Sequence, residues 1–139
     1  GLRLRAYRDT AGVWTVGYGH AHVAPGTTWT LDRAEAELRL DVAAAMRDLD
    51  HAAPWWREVD AVRQDALVEI TFNIGIGAVL GFHRALAAMR AGAWGAAAAD
   101  LLASAWAREV GARATRIAGM IENNARENQP SENQKRTSP

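Results

Sequence analysis

Residues 9–20 read DTAGVWTVGYGH, and this stretch decides which fold the sequence predicts. Its first four residues are typical of a tight turn, because an Asp side chain bonds its own downstream backbone and Gly tolerates positive φ. The residues that follow are β-branched or aromatic with period two, which indicates one strand from Val13 to His20. One face of this strand carries mostly Thr and Gly. We therefore expect its backbone and the Thr15 hydroxyl to be accessible, as in the wall of a cleft.

The residues on either side of this stretch are less regular. Residues 2–8 (LRLRAYR) alternate only loosely between apolar and basic side chains, so they either end a helix or begin a strand. Residues 24–26 (APG) predict a second turn, which closes the β element.

From Thr30 onward the apolar residues recur with the period of a helix. Thr30 is expected to cap a first helix whose apolar stripe runs from Leu31 to Leu49, and Pro54 separates it from a second helix reaching Phe72. Glycines then interrupt the pattern at positions 75, 77 and 81. Three more helices are predicted, over residues 83–91, 94–105 and 112–121.

Composition limits the class of protein. The chain has 139 residues, 49% of them hydrophobic, and 30 are Ala, which favours a folded, helix-rich domain. Net charge is zero, whereas a dedicated nucleic-acid binder usually shows a basic excess. There is no cysteine, and no apolar run is long enough to cross a bilayer. We predict an α+β, mainly helical fold in which a small N-terminal β-hairpin or sheet packs on a helical body.

The C-terminal residues differ from the rest of the chain. Residues 122–139 contain no Val, Ile, Leu, Met, Phe, Trp or Tyr, so they cannot bury enough apolar surface to offset their ordering entropy. We predict one domain over residues 1–121 and a disordered polar tail over residues 122–139.

The densest polar chemistry also lies in residues 9–20. An Asp and a Thr placed close together can hold and orient a water molecule, with the carboxylate as base. The alternative is purely structural, since Asp9 in a turn and Thr15 in a strand are both common and both bond to nearby backbone.

The order and spacing of Asp9, Thr15, the intervening glycines and His20, preceded by residues 1–7 (GLRLRAY), resemble the catalytic segment of the phage-type lysozymes, the T4-like muramidase family. Residues 72–77 (FNIGIG), followed by Phe82, resemble the helix that crosses this family's substrate cleft. The resemblance extends over about residues 1–121, through positions that match the family's C-terminal helices: Trp94, Trp106, Arg113 and Arg116.

The resemblance implies a lysozyme-like fold and a peptidoglycan muramidase. Such an enzyme hydrolyses the β-1,4 bond between N-acetylmuramic acid and N-acetylglucosamine, here with inversion at the anomeric carbon. Asp9 and Thr15 would serve the water. The family pattern begins Glu-Gly-Leu-Arg, so its general-acid Glu is expected immediately before Gly1. Asp9 is the only acidic residue among the first 31. A chain without that Glu is therefore expected to bind substrate and to lose most of the rate.

The resemblance also implies positions that contact the sugars. The structural alternatives are a core Phe, helix-breaking glycines and a solvated helix Asp. At Ala21 and Ala85 the family often places a larger or more polar side chain, which puts sugar affinity there in doubt. The implied substrate-binding residues are Gly19, Ala21, Phe72, Gly75, Val79, Ala85 and Asp100.

Two further motifs have both a functional and a structural interpretation. His20 and His22 could be a metal pair, but no third ligand is nearby in sequence. We therefore favour a structural role and expect no metal and no cofactor. Trp55 and Trp56 could stack on sugar rings, although at least one is expected in the core.

The expected partner is the glycan strand of bacterial peptidoglycan, with no nucleic acid and a monomeric protein. A phage endolysin of this type would be made in the host cytoplasm and act on the cell wall after release or export. The main alternative is a lysozyme-like module that binds peptidoglycan without cutting it. A helical interaction domain with an incidental motif match is a third hypothesis.

Overall fold

The structure is a computed structural model, and it describes residues 1–125. It divides into two compact units, residues 1–47 and the residues from Asp48 onward. The predicted α+β, mainly helical class is confirmed. The described part of the chain contains a 3-10 turn at Pro54–Glu58 and these strands and helices: β1 (Arg3–Arg8), β2 (Trp14–Gly17), β3 (His20–Ala21), α1 (Leu31–Ala52), α2 (Ala61–Ile74), α3 (Ile76–Leu80), α4 (His83–Arg90), α5 (Trp94–Leu102), α6 (Ala105–Val110) and α7 (Ala112–Asn123).

The first unit contains a three-stranded antiparallel sheet in the order β1-β2-β3. Residues 2–8, which the sequence left undecided, therefore belong mainly to a strand. The outer edge of β1 is not free, because the Ala6 amide donates to the Thr27 carbonyl and the Trp29 amide to the Leu4 carbonyl. The returning chain thus covers an edge that would otherwise offer unpaired backbone groups.

The prediction of one continuous strand from Val13 to His20 is wrong. β2 ends at Gly17, a two-residue turn follows, and β3 starts at His20. Gly17 and Gly19 have φ values of +69° and +93°, a region that glycine enters without steric cost. These two glycines reverse the chain, so they form a hairpin where the alternating pattern alone predicted extension.

The prediction that the Thr and Gly face of this strand is open to solvent is also wrong. Thr15 is 3% exposed and Gly17 is buried. The Trp29 ring covers this side of the sheet so closely that a Cβ at Gly17 would lie 3.0 Å from it. Trp29 precedes α1, and the sequence pattern did not reveal that the aromatic ring would fold back onto the strand.

The predicted start of α1 is confirmed. The Thr30 hydroxyl accepts a hydrogen bond from the Arg33 amide at 3.1 Å, which satisfies one of the free amides of the first turn. The helix ends at Ala52, two residues before Pro54, as expected. Leu31 departs from the predicted apolar stripe, because it is exposed at the first position of the helix.

The second unit is helical, and its helices pack closely: α5 contacts α4 and α7, and α7 also contacts α2. The predicted helix over residues 94–105 is two helices instead. α5 ends at Leu102, and Ser104 starts α6 by accepting a hydrogen bond from the Ala107 amide at 3.2 Å. A serine that caps the next helix is a local stop signal that the Ala-rich pattern concealed.

α7 continues to Asn123, two residues past the predicted domain boundary at 121, and Asn124 follows in the left-handed conformation. The predicted tail over residues 122–139 lies mostly outside the described residues. Within residues 1–125, no helix combines the length and the hydropathy needed to span a bilayer.

One buried polar atom of α2 has no partner among the described residues. The Thr71 hydroxyl is buried and makes no hydrogen bond. We expect Thr71→Val, which keeps the branched shape and removes the hydroxyl, to raise the free energy of unfolding by about 1 kcal/mol. Urea unfolding measures this change. Thr115→Val, at an exposed position of α7, is the matched control and should change stability little. A loss of stability in Thr71→Val would mean that the hydroxyl has a partner.

Candidate functional site

Asp9 lies at the end of β1, in the turn that leads into β2. Its Oδ1 atom accepts hydrogen bonds from the amides of Ala11 and Val13, both at 2.9 Å. The Gly12 amide donates to the Asp9 carbonyl at 2.9 Å, and Gly12 has a φ of +80°. The predicted turn is therefore confirmed. One carboxylate oxygen is occupied by two backbone donors, which leaves Oδ2 as the atom available to a ligand.

Thr15 lies in the central strand, opposite Tyr7 of β1 and Ala21 of β3. Its hydroxyl donates to the Val13 carbonyl at 3.0 Å. Val13 is thus hydrogen-bonded to both predicted catalytic residues. Its amide donates to Asp9, and its carbonyl accepts from Thr15. Because the Thr15 proton is already used, its oxygen can still accept a hydrogen bond. An almost fully buried hydroxyl suits a single water better than a sugar.

Gly19 and Ala21 share this sheet. Gly19 is exposed in the turn between β2 and β3, and Ala21 is half-buried beside Thr15. The structure therefore places Thr15 beside Ala21, whereas Asp9 and Gly19 lie in turns at opposite ends of β2. The roles of all four residues stay predictions.

In the second unit, the predicted sugar contacts differ in their exposure. Phe72 is half-buried near the end of α2, and Gly75 is exposed between α2 and α3 with a φ of +83°. Val79 and Ala85 are buried. A ligand near Val79 or Ala85 would therefore contact neighbouring residues and not the side chains of Val79 and Ala85.

Asp100 is the predicted contact with the clearest setting. It lies half-buried on α5 in a groove of about 350 Å³, whose lining includes Phe82, Arg84 and Ser104. The groove therefore combines a carboxylate, a guanidinium and a hydroxyl with an aromatic ring. Hydroxyl-rich ligands such as sugars are bound by polar groups of this kind, together with aromatic surface.

Trp106 supports the aromatic wall of this groove. Its ring contacts Phe82 edge-on at a centroid distance of 6.2 Å, and its indole N–H donates to the Asn73 side chain at 3.0 Å. Phe82 and Trp106 were among the positions that resemble the family, but the sequence did not predict the groove. Arg84 and Ser104 carried no signal in the sequence, because α4 and α5 must pack together before these residues become neighbours.

The tryptophan pair near Pro54 is divided between core and surface, as expected. Trp56 is buried, and its indole N–H donates to Asp50 at 2.8 Å, while Trp55 is half-buried. Hydrogen bonds from Arg57 and Trp56 hold the pKa of the Asp50 carboxyl below its usual value. Trp56 is therefore a structural residue.

Comparison with known proteins assigns the chain to a family. The profile of the phage lysozyme family matches residues 1–127, which is most of the chain. The chain belongs to the phage lysozyme family. The hairpin that carries Asp9 and Thr15 and the groove at Asp100 both lie within the part that this family profile covers.

Individual members of this family and related proteins align over different lengths. The pre-baseplate central spike protein of Enterobacteria phage T4 is 30% identical over 87% of this chain and 26% of its own length. The endolysin of Acyrthosiphon pisum secondary endosymbiont phage 1 is 41% identical over 56% of this chain and 53% of its own. A probable T4-type lysozyme of Dictyostelium discoideum is 23% identical over 88% of each chain. The chain thus spans about a quarter of the spike protein and about half of the endolysin.

Proposed function

We propose that this protein is a peptidoglycan muramidase of the endolysin type. It hydrolyses the β-1,4 bond between N-acetylmuramic acid and N-acetylglucosamine. The match to the phage lysozyme family over residues 1–127 carries this proposal. Relatives named as endolysins, including the one that is 41% identical over 56% of this chain, support it. The glycan strand of bacterial peptidoglycan is the proposed partner.

Asp9 is the proposed general base. Its Oδ1 atom is held by two backbone amides, so the carboxylate keeps a defined orientation while Oδ2 can accept a proton from water. Thr15, whose own proton goes to the Val13 carbonyl, accepts a hydrogen bond from the same water and orients it. The water attacks the anomeric carbon and gives one of its protons to Asp9, while the glycosidic bond breaks. This direct displacement inverts the anomeric configuration.

The leaving oxygen needs a proton from a second carboxyl group. The family pattern puts this general acid, a Glu, at the position immediately before Gly1. Asp9 cannot do both tasks, because the base must be ionised when the acid is protonated. We therefore propose that activity requires a Glu at that position.

The groove at Asp100 is the proposed sugar site of the second unit. A carboxylate accepts hydrogen bonds from sugar hydroxyls or the N-acetyl amide, and Ser104 can donate or accept beside it. Phe82, held by Trp106, offers an apolar surface to the ring. Gly19, Ala21, Phe72 and Gly75 remain proposed contacts through backbone or partly exposed atoms.

The test compares two proteins that differ in one residue. The chain is extended upstream with either Glu or Gln directly before Gly1, and each protein is added to a turbid peptidoglycan suspension. We expect the Glu protein to clear the suspension and the Gln protein to be roughly 10²–10⁴-fold slower, because only Glu can donate the proton. Circular dichroism establishes that both are folded.

Two outcomes would contradict the proposal. Equal clearing by both proteins would show that the acid lies elsewhere. A folded Glu protein that sediments with peptidoglycan and releases no sugar ends would instead support the alternative of a binding module without catalytic activity.

A further inference from the structure

Three side chains of the types that can ligate a metal ion meet in the first unit, away from the turn that holds Asp9. His20 comes from β3, while Glu37 and Asp41 come from neighbouring turns of α1. One ligand atom from each side chain lies within 4.8 Å of the other two. The His20 Nδ1 atom and the Asp41 Oδ2 atom are 2.8 Å apart. The side chains are 33%, 21% and 26% exposed for His20, Glu37 and Asp41, so a small ion can reach the cluster from solvent.

The donor set suits zinc. Zn²⁺ commonly takes three protein ligands from imidazole and carboxylate groups, with water in the fourth position of a tetrahedron. Bonds of about 2.0–2.2 Å place tetrahedral ligand atoms about 3.3–3.6 Å apart. The 2.8 Å between His20 Nδ1 and Asp41 Oδ2 is shorter than this ligand–ligand distance. The 4.8 Å that bounds all three separations is longer than it. Small side-chain rotations are therefore enough to admit the ion. Mg²⁺ fits poorly, because it demands octahedral oxygen ligands.

Surrounding contacts orient the ligands. The Trp29 ring lies 5.1 Å from the His20 ring and restricts its rotation. Glu37 and Asp41 are separated by four residues on α1, so their side chains leave the same face of the helix. The sequence offered His20 and His22 as a pair without a third ligand. The fold supplies Glu37 and Asp41 instead, and His22 is outside the cluster.

Two existing contacts must change when the ion binds. Zinc takes the lone pair of the His20 Nδ1 atom, so the hydrogen bond between this atom and Asp41 Oδ2 is given up. Glu37 also leaves Arg33, with which it forms an exposed pair at 2.9 Å. Exposed ion pairs are weak, so this exchange costs little. Arg33 keeps its contact with the Trp29 ring, 5.0 Å from the guanidinium.

We propose that His20, Glu37 and Asp41 bind Zn²⁺ and that the ion joins β3 to α1. The site has no role in the proposed hydrolysis, and it stands or falls separately from the muramidase proposal. Because zinc binds only where the hairpin and the helix are folded together, its binding free energy stabilises the first unit.

The test is thermal unfolding of the full chain with and without metal. Zn²⁺ at about 100 times its dissociation constant should raise the Tm by on the order of 5–10 °C, and the same Mg²⁺ concentration should not. Glu37→Gln removes one ligand from a partly exposed position without emptying the core, so this variant should fold and lose most of the zinc-dependent shift. Glu35→Gln removes an exposed carboxylate of the same helix and is the matched control; it should keep the shift.

Imidazole NMR signals identify the histidine involved. Under titration with Zn²⁺, the His20 resonances should shift, while those of His22, His51 and His83 should not. An unchanged Tm with Zn²⁺, an equal shift in Glu37→Gln, or movement of another histidine in place of His20 would each overturn the proposal.

Discussion

Asp9→Asn should lower peptidoglycan hydrolysis by roughly 10²–10⁴-fold in a protein that carries the upstream Glu, while the Tm stays nearly unchanged. The reason lies in how the two carboxylate oxygens differ. Oδ1 accepts bonds from the Ala11 and Val13 amides, and the amide oxygen of Asn can accept both. Oδ2, the proposed base, becomes an NH₂ group that cannot take a proton from water. The structural and the catalytic roles of Asp9 are thus separable by one substitution.

Clearing of a peptidoglycan suspension measures the rate, and a thermal melt measures stability. Asp9→Ala should lose activity and also stability, because it removes the acceptor of both amides. Asp32→Asn, an exposed carboxylate on α1, should change neither. A fully active Asp9→Asn protein would show that Asp9 is only a turn residue.

Arg63→Ala is expected to give the largest loss of stability, about 2–4 kcal/mol. Arg63 is only 7% exposed on α2. Its guanidinium donates to the carbonyls of Ile121 at 2.6 Å and Glu122 at 3.2 Å, near the C-terminal end of α7. A cation there also interacts favourably with the negative end of the helix dipole. The Arg63 guanidinium also forms an ion pair with Asp60 and lies 3.9 Å from the centre of the Trp94 ring. Alanine removes all of these contacts together.

Urea unfolding of the variant measures this loss. Arg63→Lys keeps the charge but loses the planar fork, so it should be intermediate in stability. Arg113→Ala, at an exposed position of α7, is the control and should stay within about 0.5 kcal/mol of the parent protein. If Arg63→Ala is no less stable than Arg113→Ala, the buried guanidinium does not hold α7 to α2.

Much of the local structure was predictable from the sequence. The turn at residues 9–12, the Thr30 cap and the helix end before Pro54 all depend on atoms a few residues apart. The same is true of the glycine interruption after α2. Errors arose where one residue type serves two purposes. Gly17 and Gly19 fit an alternating strand as readily as a hairpin, and Ser104 within an Ala-rich run concealed the start of α6.

The candidate site was predictable in part. The resemblance to the family singled out Asp9 and Thr15, and in the structure both bond to Val13. The Asp100 groove was not predictable, because Phe82 and Arg84 come near Asp100 only when α4 packs against α5. Glu37 and Asp41 show the same limit. They lie on one helix, four residues apart, but nothing in the sequence indicated that His20 would meet them.

The resemblance to the family, the turn that presents Asp9 and the approximate positions of α1, α2, α4 and α7 could be predicted from the sequence. Short-range hydrogen bonding and apolar periodicity are encoded by near neighbours. Three other features could not be predicted and are seen only in the folded protein: residues 2–8 form mainly a strand, Trp29 covers Gly17, and Arg63 is buried against α7. Each of these depends on segments distant in sequence, whose pairing is set by the burial of apolar surface and the satisfaction of buried polar groups rather than by any local pattern.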